Sequence, residues 1–237
     1  MSATVFYRHG WIKKKDDKHI GDIGEAWPRL FDVQGMIGAD FKQLYGESEE
    51  KLFQLWPKHA PHIITYVKHS KPKLLSAYNL DDMNTDQKEN ITLLFLPHIL
   101  PPVLYKEGKK TTRLSQAEIS NAFIDIQPVG TNIPHYLSTA NPTGRQAKLV
   151  VLGSIDSRSQ VFVIIGTQYV LEMDTLQQGV DTCFKCFWLL DISYPKMCAQ
   201  VWEFFGHAVY SLAMKSPSVS VKSIASAITS QCNASLE

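Results

Sequence analysis

Near residue 143 the hydrophobic pattern of this sequence changes period, and that change limits the fold more than any other feature. Before it, apolar residues recur at helical spacing; after it come short β-branched runs, and then helical spacing returns. Leu149 to Leu152 and Gln160 to Ile165 are mostly uncharged runs of strand length, and Gly166 with Thr167 turns the second into Gln168 to Glu172 as a hairpin. An antiparallel sheet of about three strands is expected. Two helices follow: Leu176 to Leu190, with Val180, Cys183, Phe184, Phe187 and Trp188, and Pro195 to Leu212, with Cys198, Val201, Trp202, Phe205 and Val209. Proline suits the first turn of the second helix, and the short Asp191 to Tyr194 connection favours an antiparallel pair. Both stripes are expected to meet each other and the sheet face of Val161, Val163 and Ile165.

The first half reads as helix. Ser48 followed by Glu49 and Glu50 is an N-cap with acids in the first turn, and Leu52, Phe53 and Trp56 then share a face. Pro57 and Pro61 bend or restart that helix, which Lys71 and Pro72 stop. Asn84 with Gln87, and Ser115 with Glu118, have capping-box spacing, the second opening a helix Gln116 to Ile126. Residues 1–26 show no sustained apolar period and read as a flexible basic leader. The chain then divides into a helical lobe at 27–142, an α+β lobe at 143–213 sharing one core with it, and a Ser-rich tail at 214–237 with one weak helix. The fold class is α+β: a mainly helical N-terminal lobe, then a small antiparallel sheet packed against a C-terminal helix pair.

Charge and cysteine content narrow the function. Twenty-four Lys and Arg against 23 Asp and Glu give a net charge of +1, so no overall field draws the chain to nucleic acid or an anionic surface. The most apolar stretch, Ile91 to Leu104, is broken by Pro97, Pro101 and Pro102, which excludes a membrane span. No signal-peptide pattern opens the chain, and the four cysteines, three inside amphipathic helices, read as thiols of a reducing compartment. An intracellular protein, cytoplasmic or nuclear, is expected.

Several landmarks occur in a recognisable order: Trp27-Pro28-Arg29-Leu30-Phe31, the run from Leu93 to Pro102, the helix start at Ser115 to Phe123, Val180-Asp181-Thr182-Cys183-Phe184-Lys185, Tyr194-Pro195 and Val201-Trp202. In that order they resemble a group of vertebrate, mainly fish, proteins labelled sterile-alpha-motif-domain-containing-protein-3-like. The resemblance spans residues 27 to 212 and implies the C-terminal region shared by that group. Fuller members carry a sterile alpha motif ahead of it. Residues 1–26 are too few for such a module of roughly 60 residues to have a core. The resemblance implies no activity, cofactor or catalytic residue.

The sharpest chemical pattern is Cys183-x-x-Cys186 with Cys198 and His207 downstream, the ligand types of a zinc site. Both cysteines of the pair fall inside an apolar helical period without a knuckle glycine, where thiols pack as small hydrophobes. His59, His62 and His69 follow Trp56, but no carboxylate lies one turn away. Gly108-Lys109-Lys110-Thr111-Thr112 lacks the upstream glycine of a phosphate loop, and Gly153-Ser154 leads into a polar loop rather than a helix. No cofactor is expected.

Three functional classes remain. The first is a non-catalytic protein-interaction domain with an unknown protein partner, its surface built around Trp27, Phe31, Leu52 and Trp56. An alternative is a nucleic-acid-associated protein using basic loops at 68–73 and 106–113, with Lys109, Lys110 and Arg113 as contacts. The third is an enzyme whose site is assembled from residues too scattered to form a motif.

Overall fold

The computed structural model describes residues 4–14, 19–100, 105–107, 110–112, 114–139, 146–155, 160–214 and 216–234. In chain order the helices of the first part are α1 (Val5–Lys14), α2 (Ile20–Ala26), α3 (Arg29–Asp32), α4 (Met36–Tyr45), α5 (Lys51–Ser70), α6 (Pro72–Leu75) and α7 (Thr85–Ile99). A hairpin of β1 (Tyr105–Glu107) and β2 (Lys110–Thr112) leads to α8 (Gln116–Phe123), β3 (Ile124–Gln127) and α9 (Ile133–Thr139). Then come β4 (Ala147–Leu152), β5 (Gln160–Ile165), β6 (Tyr169–Met173), α10 (Leu176–Leu189), α11 (Ala199–Phe204) and α12 (Val219–Ala234). The class is α+β, with one small mixed sheet in a mainly helical chain.

Packing gathers these elements into two interleaved units: Met1–Glu49 with Ile124–Pro195, and Glu50–Phe123 with Lys196–Glu237. This differs from a linear split at residue 142, because each unit takes one segment from each half of the chain.

The first unit is built on a sheet ordered β3-β4-β5-β6. The expected antiparallel strands are β4, β5 and β6, and β3 joins them parallel to β4, pairing Ile124 with Leu149. The helix expected to run to Ile126 therefore stops at Phe123. Ile124-Asp125-Ile126 alternates, and its β-branched residues gain more from pairing with β4 than from another helical turn. Helix α10 crosses β4, β5 and β6, and its Gly179 permits the approach: a Cβ there would lie 2.7 Å from both Leu149 Cδ1 and Val161 Cγ1. On the opposite face Val150, Leu152, Phe162 and Ile164 are buried beneath Ile133, Tyr136 and Leu137 of α9.

The expected flexible leader is instead helical where it is described. Val5, Arg8 and Ile12 of α1 and Ile20 and Ile23 of α2 are buried. Arg8 lies on the buried face because Asp40 of α4 receives its Nε–H at 2.9 Å, and the guanidinium sits 5.4 Å above the Trp27 ring. Burial lifts the Asp40 carboxyl above its ordinary range, while Arg8's hydrogen bonds and charge pull it back. A second buried cation, Lys185 of α10, is held by Asp181 at 2.6 Å and Glu49 at 3.4 Å.

Among the described residues the second unit's regular structure is helical apart from the β1–β2 hairpin. Helix α5 runs through Pro57 and Pro61 without restarting, and packs on α7 and α12. Trp56 is fully buried, its indole N–H donating to the Glu89 carbonyl of α7 at 3.1 Å, and its ring lies 5.7 Å from Phe205. Trp202 of α11 lies 5.0 Å from Phe123 and 5.9 Å from Phe205. The expected C-terminal helix pair is present as α10 and α11, α10 assigned to the first unit and α11 to the second. The α10 stripe is buried on the sheet of the first unit, and Trp202 is buried in the second unit beside Phe123 and Phe205.

Both capping boxes form. Asn84 and Gln87 exchange hydrogen bonds of 2.9 Å, and Ser115 and Glu118 make bonds of 2.7 and 3.2 Å. The Ser48 cap does not, because Gly46–Glu50 winds as a 3-10 turn that buries Ser48 and starts α5 at Lys51. Among the described residues no helix is long and apolar enough to cross a membrane.

Candidate interaction groove

The residues expected to form an interaction surface are mostly core. Leu52 and Trp56 are inaccessible and Phe31 is buried, stacked 4.2 Å from Tyr169. Trp27 is half-buried, with Tyr7 and Trp11 edge-on at 6.1 and 6.4 Å. They also fall in two units, Trp27 and Phe31 in the first, Leu52 and Trp56 in the second. An apolar stripe at helical spacing earned its burial here, as wide stripes on amphipathic helices do.

The cysteine pattern separates in the same way: Cys183 and Cys186 belong to the first unit, Cys198 and His207 to the second. Among the described residues no three of His, Cys, Asp and Glu come together as a metal site would require. All three thiols are buried. Burial, then the charge of Asp181, pushes Cys186 far above the ordinary thiol range, and burial pushes Cys198 up to about 12. Such thiols are not nucleophiles. Of the expected nucleic-acid contacts, Lys109 and Arg113 lie outside the described residues and Lys110 belongs to β2; Lys68, Lys71 and Lys73 are exposed around the end of α5.

One polar cluster brings together groups capable of acid–base chemistry. Asp125 of β3 accepts from Tyr136 Oη at 2.6 Å, from Gln127 Nε2 at 2.7 Å and from Lys148 Nζ at 2.5 Å, and Lys148 also donates to the Tyr136 hydroxyl. Burial raises the Asp125 carboxyl, but these bonds and the Lys148 charge outweigh it and hold it below the usual range. Burial and Asp125 together push the Tyr136 phenol upward. An ionised acid and a phenol made harder to ionise are the opposite of an activated base and nucleophile, so the cluster serves to tie α9 to the sheet.

In the second unit a groove of about 740 Å³ opens between α5 and α7, closed at one end by α6 and the loop after it. Pro57, Pro61 and Ile64 of α5 form one wall, Leu75, Tyr78 and Leu80 the end, and Thr85 and Lys88 of α7 the other wall. Local sequence explains each part. Pro57 and Pro61 lack an N–H, so the carbonyls of Phe53 and Pro57 lose their helical donors, a cost that a helix tolerates on a face not closed by packing. Lys71 and Pro72 end α5 and reverse the chain through α6, with Ser76 Oγ donating to the Lys73 carbonyl at 2.9 Å. The Asn84–Gln87 box then starts α7. Trp56 sits behind the groove and fixes the separation of its walls through the bond to Glu89.

The sequence showed the prolines but not the groove, since its end wall exists only after the chain has folded back on α5. The signal available was the pair of prolines four residues apart, which marks one helix face as open.

No protein-family model matches this chain, and no curated protein or solved structure is similar to it.

Proposed function

We propose that this chain is a non-catalytic protein-interaction domain that receives an apolar peptide segment of a partner protein in the α5–α7 groove. The single observation behind this reading is the groove itself: open, about 740 Å³, with Pro57, Pro61 and Ile64 on one wall, Leu75, Tyr78 and Leu80 at its end, and the polar Thr85 and Lys88 on the wall opposite. Buried, non-nucleophilic thiols fit a cytoplasmic or nuclear setting, and the ordered landmarks from Trp27 to Leu212 support placing the chain with the shared region of the sterile-alpha-motif-domain-containing-protein-3-like group.

The test is a photo-crosslinking amino acid at Leu80, on the groove's end wall, in the full chain expressed in cells. A discrete protein adduct is expected, lost when Ile64→Arg is added and absent when the crosslinker is placed at the exposed Val129. Adducts at Leu80 no different from those at Val129 would defeat the reading.

A further inference from the structure

A second surface lies in the first unit and rests on separate observations. Strand β6 is the outer strand of its sheet: β5 pairs with one edge, and among the described residues no strand pairs with the other. Such an edge presents unpaired backbone groups to any chain that can lie alongside. Beside it runs a groove of about 620 Å³, with Val170, Leu171 and Met173 on one wall and the turn between α3 and α4, including Val33 and Gly35, on the other. Gly35, at φ 78, makes that turn.

The groove is acidic. Asp32, Glu172, Asp174 and Asp181 line it, and no described lysine, arginine or histidine does. Two of the four are already engaged: Asp181 holds Lys185 at 2.6 Å, and Asp32 meets Arg29 at 3.5 Å on the outside. Glu172 and Asp174 are exposed, and among the described residues no basic side chain pairs with either. We infer that this groove takes an extended peptide bearing lysine or arginine, added to β6 as a fifth strand of the sheet. The four residues of β6 that line the groove, Val170 to Met173, at ~3.4 Å each, offer about 14 Å of edge. Backbone bonds to that edge supply affinity, and Glu172 and Asp174 select a basic segment over an acidic one.

The test uses the full chain and a fluorescent synthetic peptide of about eight alternating valines and lysines, roughly one strand's length, followed by fluorescence anisotropy at low salt. Two comparison peptides carry glutamate in place of lysine, or N-methyl groups on alternate amides. The lysine peptide is expected to bind, the glutamate peptide not. N-methylation, or the double variant Glu172→Lys, Asp174→Lys, is expected to weaken binding by about tenfold or more. Hydrogen exchange on the unsubstituted protein should show the β6 amides gaining protection as the lysine peptide is added. No binding by the lysine peptide overturns the inference. Equal binding of the N-methylated form does too, since it leaves charge alone without strand addition, as does indifference to the charge-reversed variant. Ile64→Arg separates this site from the α5–α7 groove: binding here survives it, and binding abolished by it places the peptide in the other groove and overturns the inference.

Discussion

Replacing Trp56 tests how the second unit holds its groove. The side chain is inaccessible, its ring packs on Phe205, and its N–H reaches the Glu89 carbonyl of α7. Trp56→Ala removes the ring and leaves a cavity between α5 and α7, for which large-to-small substitutions cost about 3 to 5 kcal/mol. Trp56→Phe is milder, because the Glu89 carbonyl, inside α7, still faces a helical donor: about 1 kcal/mol for the lost bond, and a similar amount for the smaller ring. Hydrogen exchange followed by mass spectrometry reads this in α5 and α7 directly. At one order of magnitude per 1.4 kcal/mol, the alanine variant is expected to exchange roughly 2 to 3.5 orders of magnitude faster, and the phenylalanine variant about 1.5. Less than a tenfold change for Trp56→Ala, or equal effects of the two substitutions, would refute the assignment of Trp56 as the tie between the groove walls.

Lys185→Met leaves Asp181 and Glu49 without their buried cation and is expected to destabilise the first unit by about 3 to 5 kcal/mol at neutral pH, which a denaturant titration checks. Gly179→Ala drives a Cβ into Leu149 and Val161, so an overpacking cost of about 1 to 3 kcal/mol outweighs the gain of up to about 1 kcal/mol in helix propensity, which thermal melting will show. Burial, opposed by a hydrogen bond to the Ala208 backbone, lowers the pKa of His59, and burial with the Lys71 charge lowers that of His98. Below the ordinary histidine value of about 6.5 the unfolded chain therefore binds protons that the folded chain refuses, and the second unit loses stability as pH falls from 7 toward 5, a slope that His59→Gln should reduce in melts across that range. Cys183, Cys186 and Cys198 are expected to resist thiol reagents in the native state and to react on unfolding, as a colorimetric thiol titration with and without denaturant will report.

What the sequence made legible was what local interactions decide. The Asn84–Gln87 and Ser115–Glu118 boxes need only three residues' separation and formed as expected, and the runs that became β4, β5 and β6 carry their own β-branched signal. Non-local packing settled the rest. Nothing near Arg8 predicts its burial, which depends on Asp40, 32 residues away, and so α1 read as leader. Ile124 to Gln127 became strand because β4 was there to pair with. The stripe through Leu52 and Trp56 was visible as apolar, but that it faces α7 and the aromatics around Phe205, rather than a partner, comes only from the fold. The groove and the acidic edge were out of reach for the same reason, since each joins segments that share no local pattern.

The claim that the α5–α7 groove binds peptide is tested most directly by selecting a random peptide library against the purified full chain. The account predicts enrichment of peptides with apolar residues, whose binding is lost on Ile64→Arg and on Leu80→Arg and persists in the Glu172→Lys, Asp174→Lys variant. No enrichment over an empty support, or enriched peptides that bind the Ile64→Arg and Leu80→Arg chains as well as the original, would contradict it.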